Sequence, residues 1–286
     1  MRRLAIKPTA VWSVVKEIKA ATEDFRPLLL AGAPETVGRL SEALTAGGGH
    51  EDAFRDLSGW QPRPYDLEGA DVLVYAIEGT APSKEDEEVL RLADRKDVEI
   101  VCILVGEPES EVVNVPHVLA TDVVSVARGE ELPLERIAER IAERAGDKSY
   151  TLAAKLPSLR RAVCEEIVRG FSRQNGILGA AIFIPGADLP VLTLNQIRMV
   201  LRIAAAHGEE IDRERALELL PIVAAGFGFR ALARQIAGLV PGAGWAVKGG
   251  IAFAGTRAVG EAAIAYFQGE VPRKLKGSVE SVRTRS

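Results

Sequence analysis

Residues 27–40 read PLLLAGAPETVGRL, and this stretch decides the fold of the first half of the chain. The apolar run at its start is typical of a strand buried in a parallel sheet, and the segment that follows has the composition of a helix. The glycines at positions 32 and 38 stand roughly where the Walker pattern GxxxxGKS/T requires a loop that holds phosphates. The stretch therefore predicts an α/β domain that opens with a strand, a turn and a helix.

The residues that would hold a nucleotide are missing from this loop. With the register fixed by Gly38, Ala33 stands at the first glycine, Arg39 stands at the lysine, and no serine or threonine follows to bind magnesium. Arginine does not replace the compact ammonium group of lysine, and Glu35 puts an anion inside a turn meant for anions. We interpret Gly32, Gly38 and Arg39 as a vestigial nucleotide loop, with an ordinary strand-turn-helix as the alternative.

A second motif of GTPase-like domains follows the first. Residues 56–59 read DLSG and match DxxG, in which Asp56 and Gly59 are the fixed positions. At 106–109 the chain reads GEPE where a GTPase carries NKxD, the motif that reads guanine. If three hydrogen bonds to charged groups are missing, at about 1.5–3 kcal/mol each, nucleotide affinity falls about a thousandfold or more. We therefore expect no tight nucleotide site and no cofactor.

The rest of the first half alternates between strand and helix patterns. Apolar runs predict buried strands. Amphipathic periodicity predicts helices, one of them capped by Ser83 with Asp86 three residues on. Only 17 residues separate Gly38 from Asp56, too few for a helix, a complete switch I segment and two strands. The predicted strands cover 70–78, 98–105 and 115–120, and the predicted helices cover 83–95 and 134–145.

Charge divides the chain near its middle, although the formal net charge is only -4. Residues 1–146 carry 17 basic against 28 acidic side chains, whereas residues 147–286 carry 19 against 12. Gly146 also ends the last predicted helix of the first half as a C-cap glycine. We predict an N-terminal amphipathic helix at 1–25, a GTPase-like domain at 26–146, a helical domain at 147–270 and a basic tail at 271–286.

The first 25 residues predict a helix and not a signal peptide. Val11, Trp12, Val15 and Ile18 form its apolar face, and charged residues interrupt any longer apolar run. The chain has two cysteines with no paired spacing, so reduced thiols and a cytoplasmic location are expected.

The second half predicts helices joined by proline-glycine breaks. Pro185-Gly186 and Pro241-Gly242 lie 56 residues apart in similar surroundings, and Asp188 is placed to cap a helix. The repeated Pro-Gly motif fits two helical hairpins with the same turn chemistry, or a duplicated pair of hairpins. The predicted helices cover 156–174, 189–207, 211–225, 229–239 and 245–267.

These motifs resemble two families. Residues 26–146 resemble, in segment order, the small-GTPase-like P-loop domain of bacterial proteins related to Era and TrmE. About residues 150–268 resemble the domain of unknown function 697, a helical module found behind GTPase or GTPase-like domains in bacteria, with some members at the inner membrane. The motifs that carry the second resemblance are IPGAD at 184–188, LNQIRM at 194–199, the stretch 224–234, VPGAGW at 240–245 and GTRA at 255–258.

The resemblance implies a degenerate α/β P-loop GTPase-like domain with a mostly parallel sheet, followed by an all-α helical-hairpin domain. Within that helical domain, Gly250, Ala254, Ala258 and Ala262 predict a smooth strip for close helix packing. A soluble bundle and hairpin insertion into a membrane both fit such a strip. The longest charge-free stretch, 174–187, has 14 residues and is shorter than the roughly 20 that a spanning helix needs.

Arginines on the apolar helices give the candidate interaction residues. Arg198 and Arg202 lie one helical turn apart beside Asn195, and Arg230, Arg234 and Arg257 stand in otherwise apolar helices. Their stems could cover the bundle while their heads reach water. Alternatively, together with Asp188, they form a surface for anionic lipid or for the acidic first domain.

We find no catalytic or metal-ligand spacing, because His50, His117 and His207 fall in different elements. The expected function is a non-catalytic pseudo-GTPase scaffold or regulatory protein that acts with a partner GTPase or another protein. One alternative is a divergent NTPase that uses Arg39 and Asp56. The other is a peripheral inner-membrane protein that docks its basic half on an anionic membrane surface. No nucleic-acid partner is expected.

Overall fold

Within the described residues, five strands form a parallel sheet in the first part of the chain. The computed structural model describes residues 8–59, 63, 66–106, 114–181, 189–219 and 244–269. The strands are β1 (Leu28–Gly32), β2 (Phe54–Asp56), β3 (Val72–Glu78), β4 (Glu99–Val105) and β5 (Val123–Val126). The main helices are α1 (Pro8–Glu23), α2 (Pro34–Thr45), α3 (Lys84–Arg95), α4 (Leu134–Ala145), α5 (Ser149–Lys155), α6 (Arg160–Ala181), α7 (Leu189–Ala206) and α8 (Gly244–Gln268).

The strand order is β2-β1-β3-β4-β5, and every neighbouring pair is parallel. This is a doubly wound order in which the strand sequence reverses between β1 and β3. In open sheets of this kind, ligands bind outside the carboxyl ends of the strands at the reversal. The predicted α/β class and parallel sheet are confirmed, and the carboxyl ends of β1 and β3 are the first place to look for a site.

The start of α3 shows how local signals fix an element against the sheet. Ser83 and Asp86 form the predicted capping box, with the Ser83 N–H donating to Asp86 Oδ2 at 2.8 Å. The other carboxylate oxygen of Asp86 accepts the Tyr75 hydroxyl of β3 at 2.8 Å. Burial, and then this hydrogen bond, raise the pKa of Tyr75, so its hydroxyl remains a donor at neutral pH. One carboxylate thus caps α3 and binds it to β3.

In this part of the chain the described strand is β5 at Val123–Val126, and the strand predicted at 115–120 is wrong. His117 has a φ of 64°, a left-handed conformation that a strand does not accommodate. Asp122, which is 1% exposed, pairs with Arg144 of α4 at 2.5 Å and fixes the start of β5. The apolar pattern of 115–120 instead reflects residues that cover the sheet, such as Val115.

The chain divides into two compact units, and the N-terminal helix groups with the helical one. The α/β unit runs from Asp24 to Val163. The helical unit consists of the chain before Asp24 and after Val163. Within the helical unit, α1 packs on α7 and α7 packs on α8. The predicted amphipathic helix is present, with Val14, Val15 and Ile18 buried against this unit and Trp12 exposed.

The division after Val163 differs from the domain boundary predicted at 146–147. Segment 147–163, including α5, still packs in the α/β unit. For example, the Lys155 carbonyl accepts the His50 N–H at 3.0 Å, and the Ser158 hydroxyl donates to a carbonyl of α2 at 2.8 Å. The difference arises because net charge changes at 146 while apolar packing continues, and packing decides where a unit ends.

Small residues allow α6 and α8 to approach closely. A Cβ atom on Gly249 would lie 2.9 Å from the Gly176 carbonyl oxygen, and one on Gly260 would lie 2.4 Å from the Val168 side chain. Real Cβ atoms do not come so near to other atoms, so these glycines are required by the helix contact.

The small-residue strip predicted at Gly250, Ala254, Ala258 and Ala262 lies on a different face of α8. Gly250, Ala254 and Ala262 are exposed, and a Cβ on Gly250 would meet nothing within 4 Å. The residue that packs is the adjacent Gly249. The four-residue spacing did not single out the side that faces α6, because α8 is rich in small residues on more than one side.

Two predicted helices of the second half are confirmed, 189–207 by α7 and 245–267 by α8, and residues 213–219 are helical within the predicted 211–225. The helix predicted at 156–174 begins later and runs further, as α6. Some predictions lie outside the described residues. They include residues 1–7 of the N-terminal helix, residues 107–109 of the GEPE segment, Pro185-Gly186, Asp188, the helix at 229–239, Pro241-Gly242 and the tail at 271–286.

Adjacent glycines on α8 provide a test of this packing. We expect Gly249→Ala to lower the free energy of unfolding by about 1–2 kcal/mol, because the methyl group forces α6 and α8 apart. Gly250→Ala should raise it by up to about 1 kcal/mol, because alanine favours a helix and this position is open. Urea unfolding of both variants, followed by circular dichroism, measures the difference. Equal effects at the two positions would contradict the close α6–α8 contact.

Candidate functional site

The turn between β1 and α2 consists of Ala33 alone. Strand β1 ends at Gly32 and α2 begins at Pro34, so Gly38 lies within the helix and not in a loop. Gly32 has a φ of 97°, and a Cβ atom there would lie 2.0 Å from the Ala76 carbonyl oxygen. The Ala33 N–H donates to that same oxygen at 2.9 Å. In a Walker loop, the backbone N–H groups after the first strand bind phosphate. Here the corresponding residues either belong to α2 or, as at Ala33, donate to β3.

Side chains in the first turns of α2 are also bound within the protein. The Thr36 hydroxyl, 2% exposed, donates to Glu78 Oε1 at 3.4 Å. The Arg39 guanidinium donates to the Glu130 carbonyl in the loop before α4. Glu35 places a carboxylate in the first turn of α2, where the helix dipole favours an anion. Glu35 thus takes the place of a bound anion at the start of α2, and the Glu130 carbonyl occupies Arg39.

The DxxG segment lies beside the same turn. Asp56 ends β2 and its Oδ1 accepts the Ser58 N–H at 2.7 Å, which closes a local turn. Gly59 has a φ of 71°, and a Cβ atom there would lie 3.8 Å from the ring of Pro34. The structure therefore brings Gly32, Asp56 and Gly59 to one edge of the sheet, whereas Gly38 and Arg39 are further along α2.

Carboxylates are the prominent ionisable groups of this edge. Glu35 follows β1 in the first turn of α2, while Asp56 and Glu78 end β2 and β3, and negative groups so placed repel phosphate. Among the described residues, no group of three or more His, Cys, Asp or Glu side chains is arranged to hold a metal ion. The geometry fits a closed turn better than a nucleotide pocket.

A second candidate site lies in the helical unit, where Glu17 of α1 lies between Arg198 and Arg202 of α7. Glu17 Oε2 is 3.2 Å from Arg198 Nη2, and Oε1 is 3.2 Å from Arg202 Nη2. Arg202 is 9% exposed, and its guanidinium lies 5.3 Å from the centroid of the Phe171 ring. The structure thus brings the two predicted arginines together, and the group that they bind is a carboxylate of the N-terminal helix.

Polar side chains continue from this arginine pair into the interior. Arg198 Nη1 is 3.5 Å from Asn195 Oδ1, and Asn195 Nδ2 donates to Asn175 Oδ1 at 2.9 Å. Asn175 and Gln196 both donate to the Thr256 hydroxyl oxygen, at 2.9 and 3.1 Å. Asn175, Gln196 and Thr256 are fully buried. This polar chain joins α6, α7 and α8, and it leads outward to the arginine pair.

Arg257 is not part of this cluster. It is largely exposed and pairs with Glu261 on its own helix at 2.7 Å. It lines a groove of about 470 Å³ between α6 and α8, together with Phe253 and the buried Ser172. The other predicted interaction residue, Asp188, lies outside the described parts of the chain.

Sequence reasoning missed the partners of the predicted residues. Glu78 and Glu130 had no motif to mark them, and Glu17 was one of many surface carboxylates. Asn175 and Thr256 did carry a signal, because an amide or hydroxyl on the apolar face of a helix needs a buried partner. That signal shows that a partner exists without showing which residue it is.

Comparison with known proteins assigns no family. No protein-family model matches the chain, and no curated protein matches it. Among solved structures, it is similar to RecJ from Thermus thermophilus in complex with Mn2+, at 14% identity and a TM-score of 0.28, over 84% of this chain and 42% of that one. It is also similar to the exonuclease RecJ bound to manganese, at 15% identity and a TM-score of 0.26, over 83% of this chain and 71% of that one.

The chain spans less than half the length of the first of these structures. TM-scores this low carry no argument about the fold or the activity of this protein. What the chain does must therefore be inferred from the two sites themselves.

The closed β1–α2 turn yields a prediction about nucleotides. We expect titration calorimetry with GTP or ATP and magnesium to show no dissociation constant tighter than about 100 μM, a binding free energy near -5.5 kcal/mol. Arg39→Ala should change this no more than the control Arg91→Ala on the surface of α3. A micromolar constant that weakens only in the Arg39 variant would contradict the interpretation of the turn.

Proposed function

We propose that the chain is a non-catalytic pseudo-GTPase that acts as a scaffold or regulator of a partner GTPase. The support comes from a doubly wound parallel sheet, combined with a β1–α2 turn that lacks the free N–H groups a nucleotide phosphate would need. A domain with this architecture and without catalytic groups can still bind other proteins through its surfaces.

One observation carries this proposal. The β1–α2 turn is a single residue, and its N–H is bonded to the Ala76 carbonyl. A phosphate-binding loop needs several free N–H groups that converge on one point. Restoring such a loop here would require unwinding the start of α2 and breaking the Thr36–Glu78 hydrogen bond. A divergent NTPase that uses Arg39 and Asp56 would have to make these changes before each turnover.

Recovery of the protein from its own cells tests the proposal. We expect the purified recombinant chain to hydrolyse no GTP, and the chain isolated through an affinity tag to co-elute with a GTPase whose turnover changes when the recombinant chain is added. Absence of any co-eluting GTPase would overturn the scaffold proposal. Hydrolysis by the recombinant chain that is lost in Asp56→Ala, with circular dichroism unchanged, would favour the divergent NTPase.

Docking on a membrane surface is a second candidate, favoured by one end of the helical unit. Ile177 of α6 is 70% exposed, Val191 of α7 44% and Phe253 of α8 36%. These residues come from neighbouring positions, because Asn175 binds the carbonyl beside Val191 and Phe253 packs against Gly176. Within the described segments 170–181, 189–197 and 244–256 there are two basic side chains and no acidic ones. Exposed apolar side chains with basic neighbours are typical of interfacial binding.

This candidate concerns surface docking and not insertion of a span. Within the described parts of the chain, every helix falls short of the length and hydrophobicity that crossing a bilayer demands.

Sedimentation with vesicles tests the membrane candidate. If the helical unit docks, the chain should pellet with vesicles rich in anionic lipid and less so as salt rises, because exposed charges are screened beyond about 8–10 Å. Ile177→Glu should reduce pelleting severalfold, since a carboxylate at the docking end opposes both apolar contact and anionic lipid. Leu119→Glu is the matched control, because Leu119 is 60% exposed in the α/β unit. Equal pelleting of both variants, or none of the wild type, would contradict docking at this end.

A further inference from the structure

The arginine side chains of α7 are more buried than the Glu17 side chain that pairs with them. The Arg202 side chain is only 10% exposed and lies over Phe171, and the Arg198 side chain is 27% exposed. The carboxylate of Glu17 that bridges them belongs to a side chain that is 42% exposed. Two guanidinium groups that converge on one carboxylate give the charge-assisted geometry that selects carboxylate over neutral groups.

The buried polar chain preorganises this arginine pair. Asn195 accepts from Arg198 on one side and donates to Asn175 on the other, so the position of the Arg198 head is coupled to the packing of α6 and α7. Asn175 is in turn held by Thr256 of α8. Arg198 Nε is buried and has no hydrogen-bond partner within the described structure, although its terminal nitrogens are engaged. Hydrogen bonds among α6, α7 and α8 therefore position the Arg198 side chain.

The α1 side of the contact is a short helix with a simple pattern. Val14, Val15 and Ile18 are buried, and Glu17 lies among them in sequence. An apolar stripe with one carboxylate beside it is a pattern that any amphipathic helix with these spacings can present.

We propose that Arg198, Arg202 and Asn195 form a carboxylate-binding site. Glu17 of α1 occupies this site within the chain, and an acidic amphipathic helix of a partner protein displaces α1 and binds there instead. The partner helix carries a glutamate or aspartate flanked by β-branched residues, as residues 14–18, VVKEI, do in α1. This deepens the proposed function and rests on it, since it assigns the surface through which a scaffold would take a partner. The docked α1 then acts as an intramolecular competitor.

A peptide competition on the full-length chain tests the site. The probe is a fluorescent peptide with the sequence of residues 8–23, which stands in for a partner helix. The wild-type chain should bind it weakly, because its own α1 competes at an effective concentration in the millimolar range. Glu17→Gln in the chain should strengthen peptide binding by at least about tenfold, the effect expected from losing hydrogen bonds to charged groups. Glu23→Gln, at the end of the same helix, is the matched control and should leave binding at the wild-type level.

A second peptide separates carboxylate recognition from apolar contact. A peptide that carries Glu17→Gln should bind the Glu17→Gln chain at least about tenfold more weakly than the wild-type peptide does. Equal binding of the two peptides would overturn the carboxylate site.

If the single variant leaves α1 docked through its apolar face, Val15→Asp combined with Glu17→Gln releases it. Failure of that folded double variant to bind the wild-type peptide overturns the proposal as well. No GTPase takes part in this assay, so its outcome is separate from the search for a partner GTPase.

Discussion

The hydrogen bond from the Ala33 N–H to the Ala76 carbonyl is the interaction on which the carboxyl edge of the sheet depends. It joins the end of β1 directly to β3, at the point where the strand order reverses. Gly32 makes the approach possible, because its positive φ and missing side chain let the two backbones meet. Once this contact is made, α2 starts after one residue. At this turn, backbone geometry alone leaves no room for a phosphate-binding loop, whatever side chains stand there.

The helical unit solves a different problem, that of fixing the register of apolar helices. Close α6–α8 contact through glycines is compatible with sliding, since small residues interlock weakly. The buried amides Asn175 and Gln196, which share the Thr256 hydroxyl, permit few alternatives, because a shift would leave polar groups unsatisfied. Polar groups inside an apolar bundle can specify one arrangement at some cost in stability. In this protein the same chain of groups reaches the surface at Arg198.

Local patterns in the sequence predicted much of the fold, and contacts between distant residues could not be predicted in the same way. Helices α3 and α4 were predicted closely because caps and a 3.6-residue period are local, and β3 and β4 because strands covered on both faces are apolar throughout. The α/β unit ends later than the predicted boundary, because the boundary was placed where the net charge changes and the apolar packing continues beyond that point. Both candidate sites depend on pairings that sequence spacing does not encode: Thr36 with Glu78, 42 residues apart, and Glu17 with Arg198, 181 residues apart.

The grouping of α1 with the distant helices has a consequence for synthesis of the protein. The ribosome makes α1 before the α/β unit, and it makes α7, which carries the arginine partners of Glu17, only after that unit. At about 5–20 residues per second, α1 waits roughly 10–40 s before that partner emerges. During that interval Val14, Val15 and Ile18 have no native surface to cover them. The nascent chain therefore passes through a stage in which the α/β unit can be complete while its leading helix is exposed to chaperones or to other proteins.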